Sequence, residues 1–423
     1  IEFDYCSVHA SWAIKDNKYQ SVMINSNPET LSTDFDIADR LYFEPMNIEN
    51  VMNIVEKEKP YGVMVQFGGQ TAINLATKLE EKGVKILGTS LKSINVVEDR
   101  KQFEKLLSKL DIPQPKGIGV YSLEEAKDID NIIGFPVLVR PSYVIGGRGM
   151  QVVYNQKELE TYLNEALKFS NGHPILIDKY IEGQEAELDA VSDGYDVIIP
   201  GICEHIERAG VHSGDSISVY PAININKKIK NKMVEYTTKI ARELKIKGLM
   251  NIQFIIHKDI PYVIEVNPRV SRSSALASKA SGYPIARVSA KIAVGMHLHE
   301  IQLANTPASF EPTLDYVVTK MPRFPFDKFP AAQNTLSTQM KATGEVMSVG
   351  RTFEESLLKA IRSLEEGKNH IHMEKFDSAH MSVDELLDYI KDGTDDRLYA
   401  ISQLMWMGED LSLICDITQI DMF

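Results

Sequence analysis

Several features are scarce in this 423-residue sequence, and each scarcity excludes a class of protein. Its three cysteines, Cys6, Cys203 and Cys415, are too far apart to give a disulfide framework or a zinc motif. Sparse, widely spaced cysteines are typical of reduced thiols, so we expect a cytoplasmic protein. No apolar run approaches the roughly 20 residues of a membrane-spanning helix, so we expect no membrane insertion.

Basic residues are also fewer than acidic residues. The chain has 46 Lys and Arg against 59 Asp and Glu, which gives a net charge of −13. Because nucleic-acid-binding domains are usually basic, this balance argues against a general nucleic-acid surface but still allows a local basic pocket. Neither the Walker A motif GxxxxGK[ST] nor the motif GxGxxG occurs. Any phosphate site must therefore be built in another way.

Residues 1–95 alternate between buried-strand and amphipathic-helix patterns. We predict strands at 20–26, 61–66 and 84–87, and helices at 47–59 and 70–82. This alternation is typical of an α/β domain with a parallel sheet covered on both faces. Because the chain opens with a helical pattern and has no initiator methionine, we expect a fragment or trimmed form whose first strand is missing.

The pattern changes at residue 96. A predicted helix at 98–111 precedes a series of short β runs between 135 and 220, and a long helix is predicted at 226–244. GLMNIQFIIH and PYVIEVN are joined by a short polar turn, which predicts a hairpin. We interpret 96–368 as a two-lobed α+β domain with a trailing strand and helix, and 369–423 as the start of a small helical domain.

The stretch RPSYVIGGRGM carries two glycines between apolar runs. Gly146 and Gly147 would let backbone N–H groups approach a phosphate, and Arg140 could neutralise its charge. A simple β-hairpin turn explains the same glycines, so this stretch alone does not decide between the two.

The second stretch is the predicted hairpin. Glu265 and Asn267 share one face of a strand, and Gln253 would face them from the paired strand. Oxygen ligands of this kind suit Mg²⁺, and Arg269 and Arg272 follow where an anion would lie. The alternative is a polar face on an edge hairpin. Since Glu265 interrupts an apolar run, we expect it to be buried, and an unpaired buried carboxylate is costly.

Two further stretches are weaker signals. CEHIERAGVHSGDS is rich in ionisable residues, but a polar surface loop would look the same, and His205 and His212 lack a third ligand at zinc spacing. ILIDKYIEGQEAELDA could present backbone groups to an adenine and a carboxylate to a ribose. Taken together, the four stretches indicate an ATP site that works by positioning and charge neutralisation.

The order of these motifs resembles one family. EDR, RPSYVIGGRGM, ILIDKYIEG, AGVHSGDS and EVNPRVSRSSALASKA together resemble the ATP-grasp halves of the carbamoyl phosphate synthetase large subunits, over nearly the whole chain. The resemblance implies a pre-ATP-grasp domain, an ATP-grasp domain and the start of a helical oligomerisation domain. It also implies ATP and Mg²⁺ or Mn²⁺ as cofactors, with K⁺ as a monovalent ion.

The resemblance assigns roles to individual positions. ATP would be bound by Arg100, Arg140, Gly146, Gly147, Lys179, Ile181, Glu185, Gly210, Val211, His212, Ser213, Gln253 and Glu265. Divalent metal would be held by Gln253, Glu265 and Asn267. The anion derived from bicarbonate or carbamate would be held by Arg269 and Arg272, with Asn267 also in the catalytic set. Glu204, His205 and Glu207 fall where the family holds a monovalent cation, and Lys179 departs from the family pattern.

The implied activity is ATP-dependent phosphorylation of carbamate or bicarbonate, for arginine and pyrimidine biosynthesis. Up to about residue 250 the chain resembles the carbamate half of the family, and from VNPRVSR onward the bicarbonate half, so we interpret it as a mosaic. Ammonia, a glutaminase subunit and a second copy are expected partners. A fragment that binds ATP without turnover, or a ligase of the biotin carboxylase type, remains an alternative.

Overall fold

The computed structural model describes residues 2–141, 150–169, 174–329 and 331–422. Its helices are α1 (Glu2–Asp16), α2 (Ile48–Glu58), α3 (Gly69–Glu81), α4 (Leu91–Glu98), α5 (Arg100–Lys109), α6 (Ile129–Ile132), α7 (Gln156–Ala166), α8 (Lys227–Glu243), α9 (Arg272–Ser281), α10 (Ile285–Ala293), α11 (Phe353–Ser363), α12 (Val383–Tyr389), α13 (Arg397–Met407) and α14 (Leu411–Thr418). Its strands are β1 (Val22–Ile24), β2 (Arg40–Tyr42), β3 (Gly117–Val120), β4 (Val137–Pro141), β5 (Gln151–Val153), β6 (Ile175–Lys179), β7 (Gln184–Asp193), β8 (Val197–Arg208), β9 (Ser218–Tyr220), β10 (Lys247–His257), β11 (Ile260–Asn267), β12 (Val317–Arg323) and β13 (Gly344–Gly350).

The N-terminal part has the predicted parallel pairing, in a reduced form. Strands β1 and β2 are parallel, and Val63 and Ile86 form one isolated parallel bridge. The expected full strands at 61–66 and 84–87 are therefore wrong. At the end of the first of these stretches, the Gln66 carbonyl accepts a hydrogen bond from Val270 N–H and so pairs with no neighbouring strand of this sheet. Helices α2, α3 and α4 cover this small sheet through a core that includes Leu79.

The smaller of the two central lobes is a four-stranded antiparallel sheet in the order β3-β6-β4-β5. Alternate side chains of β4 and β6 point into a core that is closed by α7, whose Leu159 and Leu163 are fully buried. The antiparallel arrangement confirms the sequence prediction, which did not include α7. Asn155 begins this helix by accepting a hydrogen bond from Glu158 N–H.

The larger lobe is a seven-stranded antiparallel sheet in the order β11-β10-β7-β8-β9-β12-β13. Since side chains alternate along a strand, Leu188 of β7 packs with α8 on one face, whereas Val191 packs with α9 and α10 on the other. The hairpin β10–β11 is confirmed. Its two loop residues, Lys258 and Asp259, have φ of 48° and 62°, as a type I′ turn requires.

The predicted helix at 98–111 corresponds to α5, and α4, which was not predicted, lies immediately before it. Asp99 has an extended backbone, ends α4, and begins α5 by accepting a hydrogen bond from Gln102 N–H. At the C-terminal end, α12, α13 and α14 form the expected helical region around Phe376 and Leu404. Within the described ranges, no helix has both the length and the apolar character that crossing a membrane requires.

Candidate functional site

One cleft of about 1990 Å³ lies between the N-terminal part, the small lobe and the edge of the large sheet. Its walls include every described residue that was predicted to bind ATP, divalent metal or the anionic substrate: Arg100, Arg140, Lys179, Ile181, Glu185, Gly210, Val211, His212, Ser213, Gln253, Glu265, Asn267, Arg269 and Arg272. Gly146 and Gly147 lie outside the described residues. Residues that are up to 172 positions apart in sequence, from 100 to 272, thus face one space.

Two arginines share one carboxylate at the small-lobe end of the cleft. Asp178 on β6 accepts a hydrogen bond of 3.0 Å from Arg100 Nη1 and one of 3.2 Å from Arg140 Nε. Gly117 makes this possible, since a Cβ there would lie 2.0 Å from an Asp178 carboxylate oxygen. The two guanidinium groups are therefore held side by side, where they can receive a polyanion. The sequence did not predict this role for Asp178, because its position in a short β run gives no sign of an arginine partner.

The strand end at 179–181 is fixed mainly through side-chain contacts to backbone carbonyls. Lys179 Nζ donates to the carbonyls of Gly134 and Phe135, at 3.1 and 2.8 Å. Tyr180 Oη donates to Ala209 O at 2.5 Å, and burial raises the pKa of this phenol to about 12. The Lys179 ammonium is thus engaged with backbone, which leaves Ile181 as the apolar wall of this part of the cleft.

The loop after β8 is held from both sides. Glu185 Oε1 accepts a hydrogen bond of 3.2 Å from Gly210 N–H. On the other side, Lys320 Nζ donates to the carbonyls of Ser213 and Ser216, at 3.0 and 2.8 Å. Gly210 has φ of 95°, a left-handed conformation that favours glycine. Lys320 was also missed, because only the fold brings β12 to this loop.

His212 lies in this loop as a neutral imidazole. Its Nδ1 accepts a hydrogen bond of 3.0 Å from Gly214 N–H, which requires an unprotonated nitrogen. Burial, together with the positive charges of Arg272 and Lys320, lowers the pKa of His212 to about 4. The loop therefore presents an uncharged donor or acceptor to the cleft at neutral pH.

The hairpin brings the predicted metal ligands together. Gln253 lies opposite Glu265 in the β10–β11 register, and Asn267 Nδ2 donates to Glu265 Oε1 at 3.0 Å. Glu265 is exposed to the cleft, so the expectation that its carboxylate is buried is wrong. The strand places it at the sheet edge, where solvent reaches it. One carboxylate and two amide groups, all able to offer oxygen, can hold a hard cation here.

Two arginines follow this set. Arg269 Nε donates to Gln70 Oε1 at 3.2 Å, a contact that reaches across to the N-terminal part. Arg272 is the first residue of α9 and contacts the sulfur of Met340. Both cations thus border the same space as the oxygen ligands.

The residues carried over as monovalent-cation ligands do not form one cluster. Both oxygens of Glu204 accept hydrogen bonds from backbone N–H groups of residues 223–225. His205 and the other odd-numbered residues lie on the opposite face of β8, and Glu207 accepts from Ile217 N–H at 2.6 Å. His205 instead lies between Glu185 and Glu187. Burial alone would lower its pKa, but these carboxylates outweigh burial and raise the pKa of His205 to about 9.

Comparison with known families covers most of the chain. Residues 1–96 match the carbamoyl phosphate synthase preATP-grasp domain, 99–301 the ATP-binding domain of the carbamoyl phosphate synthase L chain, and 345–423 the oligomerisation domain of the carbamoyl phosphate synthetase large chain. The carbamoyl phosphate synthase large chain of Clostridium acetobutylicum is 52% identical over 363 residues, covering 86% of this chain and 34% of that relative. The one from Thermoanaerobacter sp. strain X514 is 53% identical over 361 residues, covering 85% and 33%.

Solved structures with the same fold include biotin carboxylases. The biotin carboxylase domain of Hydrogenobacter thermophilus 2-oxoglutarate carboxylase has a TM-score of 0.66 at 20% identity, over 85% of this chain and 87% of that one. Biotin carboxylase from Campylobacter jejuni has a TM-score of 0.66 at 17% identity, over 97% and 96%. These likenesses establish the fold. This chain spans about a third of the length of the curated relatives. The family matches and the sequence identity to those relatives show that it belongs to the family of carbamoyl phosphate synthase large chains.

Proposed function

We propose that this chain transfers the γ-phosphoryl group of ATP to carbamate, or to bicarbonate, in the synthesis of carbamoyl phosphate. The observation that carries the proposal is the lining of one cleft by three chemically distinct groups: paired guanidinium groups, an oxygen-ligand set, and a second pair of arginines. Phosphoryl transfer depends on positioning and charge neutralisation, and these groups supply both.

Each group has a role in this proposal. Arg100 and Arg140 hold the ATP phosphates, and the adenosine lies against Ile181, Glu185 and the loop at 210–213. The side-chain oxygens of Gln253, Glu265 and Asn267 fit Mg²⁺, or Mn²⁺, which would offset the charge of the β- and γ-phosphates. Arg269 and Arg272 orient the small anionic acceptor in line with the γ-phosphate.

Relatives and fold neighbours support this assignment. The relatives carry the name carbamoyl phosphate synthase large chain, and the H. thermophilus structure contains MgADP and bicarbonate. We extend the proposal to ammonia as a co-substrate and to a glutaminase subunit as its source. K⁺ as an activating ion and a role in arginine and pyrimidine synthesis also belong to the proposal.

Two further features concern the location of the protein and its self-association. None of the three cysteines is in a disulfide bond, which suits a reducing compartment, and we place the protein in the cytoplasm. The match at 345–423 is to an oligomerisation domain, and Trp406 is 84% exposed on α13, so self-association through this region belongs to the same proposal.

The decisive experiment measures ATP formation from ADP and carbamoyl phosphate, with Mg²⁺ and K⁺ present. We expect ATP to form, and we expect Glu265→Gln to reduce the rate at least about 100-fold, since it weakens the oxygen set where phosphate charge must be neutralised. Glu124→Gln, an exposed carboxylate of the small lobe, serves as the matched control and should retain the rate.

The other outcomes separate the alternatives. Bicarbonate-dependent ATP hydrolysis without ATP formation from carbamoyl phosphate would identify a bicarbonate site, and hydrolysis that requires biotin would identify the biotin carboxylase type. ATP binding without turnover under all substrates would contradict catalysis and indicate an assembly module. The choice between carbamate and bicarbonate also tests the mosaic interpretation. If the N-terminal 250 residues decide the substrate, the site should phosphorylate carbamate.

A further inference from the structure

A buried group of three side chains that can bind a metal ion lies on the large sheet, separate from the oxygen set of the hairpin. Glu187 of β7 and Cys203 of β8 are directly opposite in the strand register, and His205 follows Cys203 by two residues on the same face. Within the described ranges this is the only group of three such residues whose ligand atoms all lie within 4.8 Å of one another. The relative exposures of the three residues are 6%, 3% and 3%.

We propose that Glu187, Cys203 and His205 form a binding site for a Zn²⁺-class divalent ion. One thiolate, one imidazole and one carboxylate are the donor types that Zn²⁺ combines in three-ligand sites with a fourth position left open. Glu187 lines the cleft, which gives an ion a path to the site.

The geometry needs little rearrangement. Tetrahedral Zn²⁺ with bonds of about 2.0–2.3 Å holds its ligand atoms about 3.3–3.8 Å apart. Glu187 Oε1 and His205 Nε2 are 3.3 Å apart already, and the remaining separations in the group stay within 4.8 Å. Side-chain rotation can therefore close the site while the two strands keep their register.

The second ring nitrogen of His205 supplies an independent observation. His205 Nδ1 is buried and has no hydrogen-bond partner, and Glu185 Oε2 lies 3.5 Å away. When Nε2 of a histidine binds metal, the other nitrogen donates its proton to a carboxylate or carbonyl that orients the ring. A small ring movement towards Glu185 would complete this arrangement and satisfy the unpartnered nitrogen.

The chemistry separates this site from the other proposed cation sites. Mg²⁺ and K⁺ prefer oxygen ligands, whereas a thiolate and an imidazole select softer divalent ions. Binding must displace the protons of the thiol and the imidazolium. It must also overcome electrostatic repulsion from the nearby ammonium of Lys320, which donates to three backbone carbonyls. Since Glu185 also binds Gly210 N–H, occupancy would link the metal to the loop of the proposed nucleotide pocket.

The test is a Co²⁺ titration of the whole protein in excess Mg²⁺, read by absorbance, with Zn²⁺ added afterwards. We expect one Co²⁺ per chain with tetrahedral d–d bands and a thiolate-to-metal charge-transfer band, both removed by Zn²⁺. Cys203→Ser should abolish the charge-transfer band, and the matched controls Cys6→Ser and Cys415→Ser should keep it. Glu185→Gln should keep the band but weaken Co²⁺ binding about 10- to 100-fold.

Contrary outcomes are equally clear. Absence of binding, binding without a thiolate band, or a band that survives Cys203→Ser would overturn the proposal. Circular dichroism of metal-free Cys203→Ser checks that the variant folds. If it does not, Glu187→Gln and Glu185→Gln decide the matter in the native cysteine background, since unchanged Co²⁺ affinity in both would contradict the site. None of these readouts uses turnover, so the result stands apart from the proposed enzyme activity.

Discussion

His212 is an uncharged imidazole held among cations, and this makes the stability of the protein depend on pH. Its pKa in the folded chain is about 4, because burial and the nearby charges of Arg272 and Lys320 disfavour the imidazolium. The unfolded chain binds the proton near the ordinary histidine pKa of about 6.5. Below that pH the unfolded state binds a proton that the folded state does not bind. The contribution of this residue therefore lowers the free energy of unfolding as pH falls from about 6.5 towards about 4.

We therefore predict that His212→Gln flattens part of the acid dependence of stability. The wild-type free energy of unfolding should fall by about 1 kcal/mol more than that of the variant between about pH 7 and about pH 5.5. Glutamine can still accept the Gly214 N–H through its side-chain oxygen. Urea unfolding at both pH values gives the comparison, with the exposed His380→Gln as the control. Parallel pH profiles for His212→Gln and wild type would refute the assignment.

Helix α9 is anchored at its N-terminus by a carboxylate from another element. Asp189 of β7 accepts hydrogen bonds from Ser273 Oγ at 2.5 Å and Ser274 Oγ at 2.7 Å. Ser274 also accepts the backbone N–H of Ser271, which completes a capping box. Burial and the charge of Glu187 raise the pKa of Asp189 to about 6. The anchor fixes the start of a helix whose first residue is Arg272, a proposed substrate ligand.

Ser274→Ala should loosen this anchor. Losing the cap and one bond to a buried carboxylate should lower the free energy of unfolding by about 1–2 kcal/mol. If the enzyme assignment holds, the KM for the anionic acceptor should rise more than that for ATP, because only the acceptor depends on Arg272. Thermal and urea unfolding with steady-state kinetics give both answers, and Ser363→Ala, exposed at the end of α11, is the control. Equal changes in the two KM values would indicate a purely structural role.

Local pattern predicted most elements, and contacts distant in sequence account for most of what it missed. The β10–β11 hairpin and its turn follow from alternation and a short polar loop, so the approach of Gln253 to Glu265 was predictable. Helix α4 was not predicted, because its 8 residues span little more than two turns and give only a weak helical period. Asp178 and Lys320 reach their partners across 78 and about 106 residues, a pairing that only the tertiary fold specifies.

The N-terminal part and the large lobe are joined by buried polar contacts that meet at the loop between Asn267 and Arg272. Gln66 is 2% exposed, and its Nε2 donates to Pro268 O at 2.9 Å, while its backbone carbonyl accepts Val270 N–H at 2.9 Å. Thr89 N–H donates to Gln66 Oε1 at 3.3 Å, and Thr89 Oγ1 in turn donates to Lys247 O at 3.1 Å. The loop between Asn267 and Arg272 is thus held by the N-terminal part, which makes that part a component of the site.

Gln66→Met tests this coupling with little change in volume. The substitution leaves the Pro268 carbonyl and the Thr89 N–H buried without partners, so the free energy of unfolding should fall by about 2–4 kcal/mol. Because the contact joins two cores, we expect one calorimetric transition for the wild type and two for Gln66→Met. Gln70→Met, which removes a more exposed contact to Arg269, is the matched control and should keep one transition. A Gln66→Met protein that unfolds in one transition at the wild-type temperature would mean that apolar packing of α1 against α10 holds the two parts together without this buried polar contact.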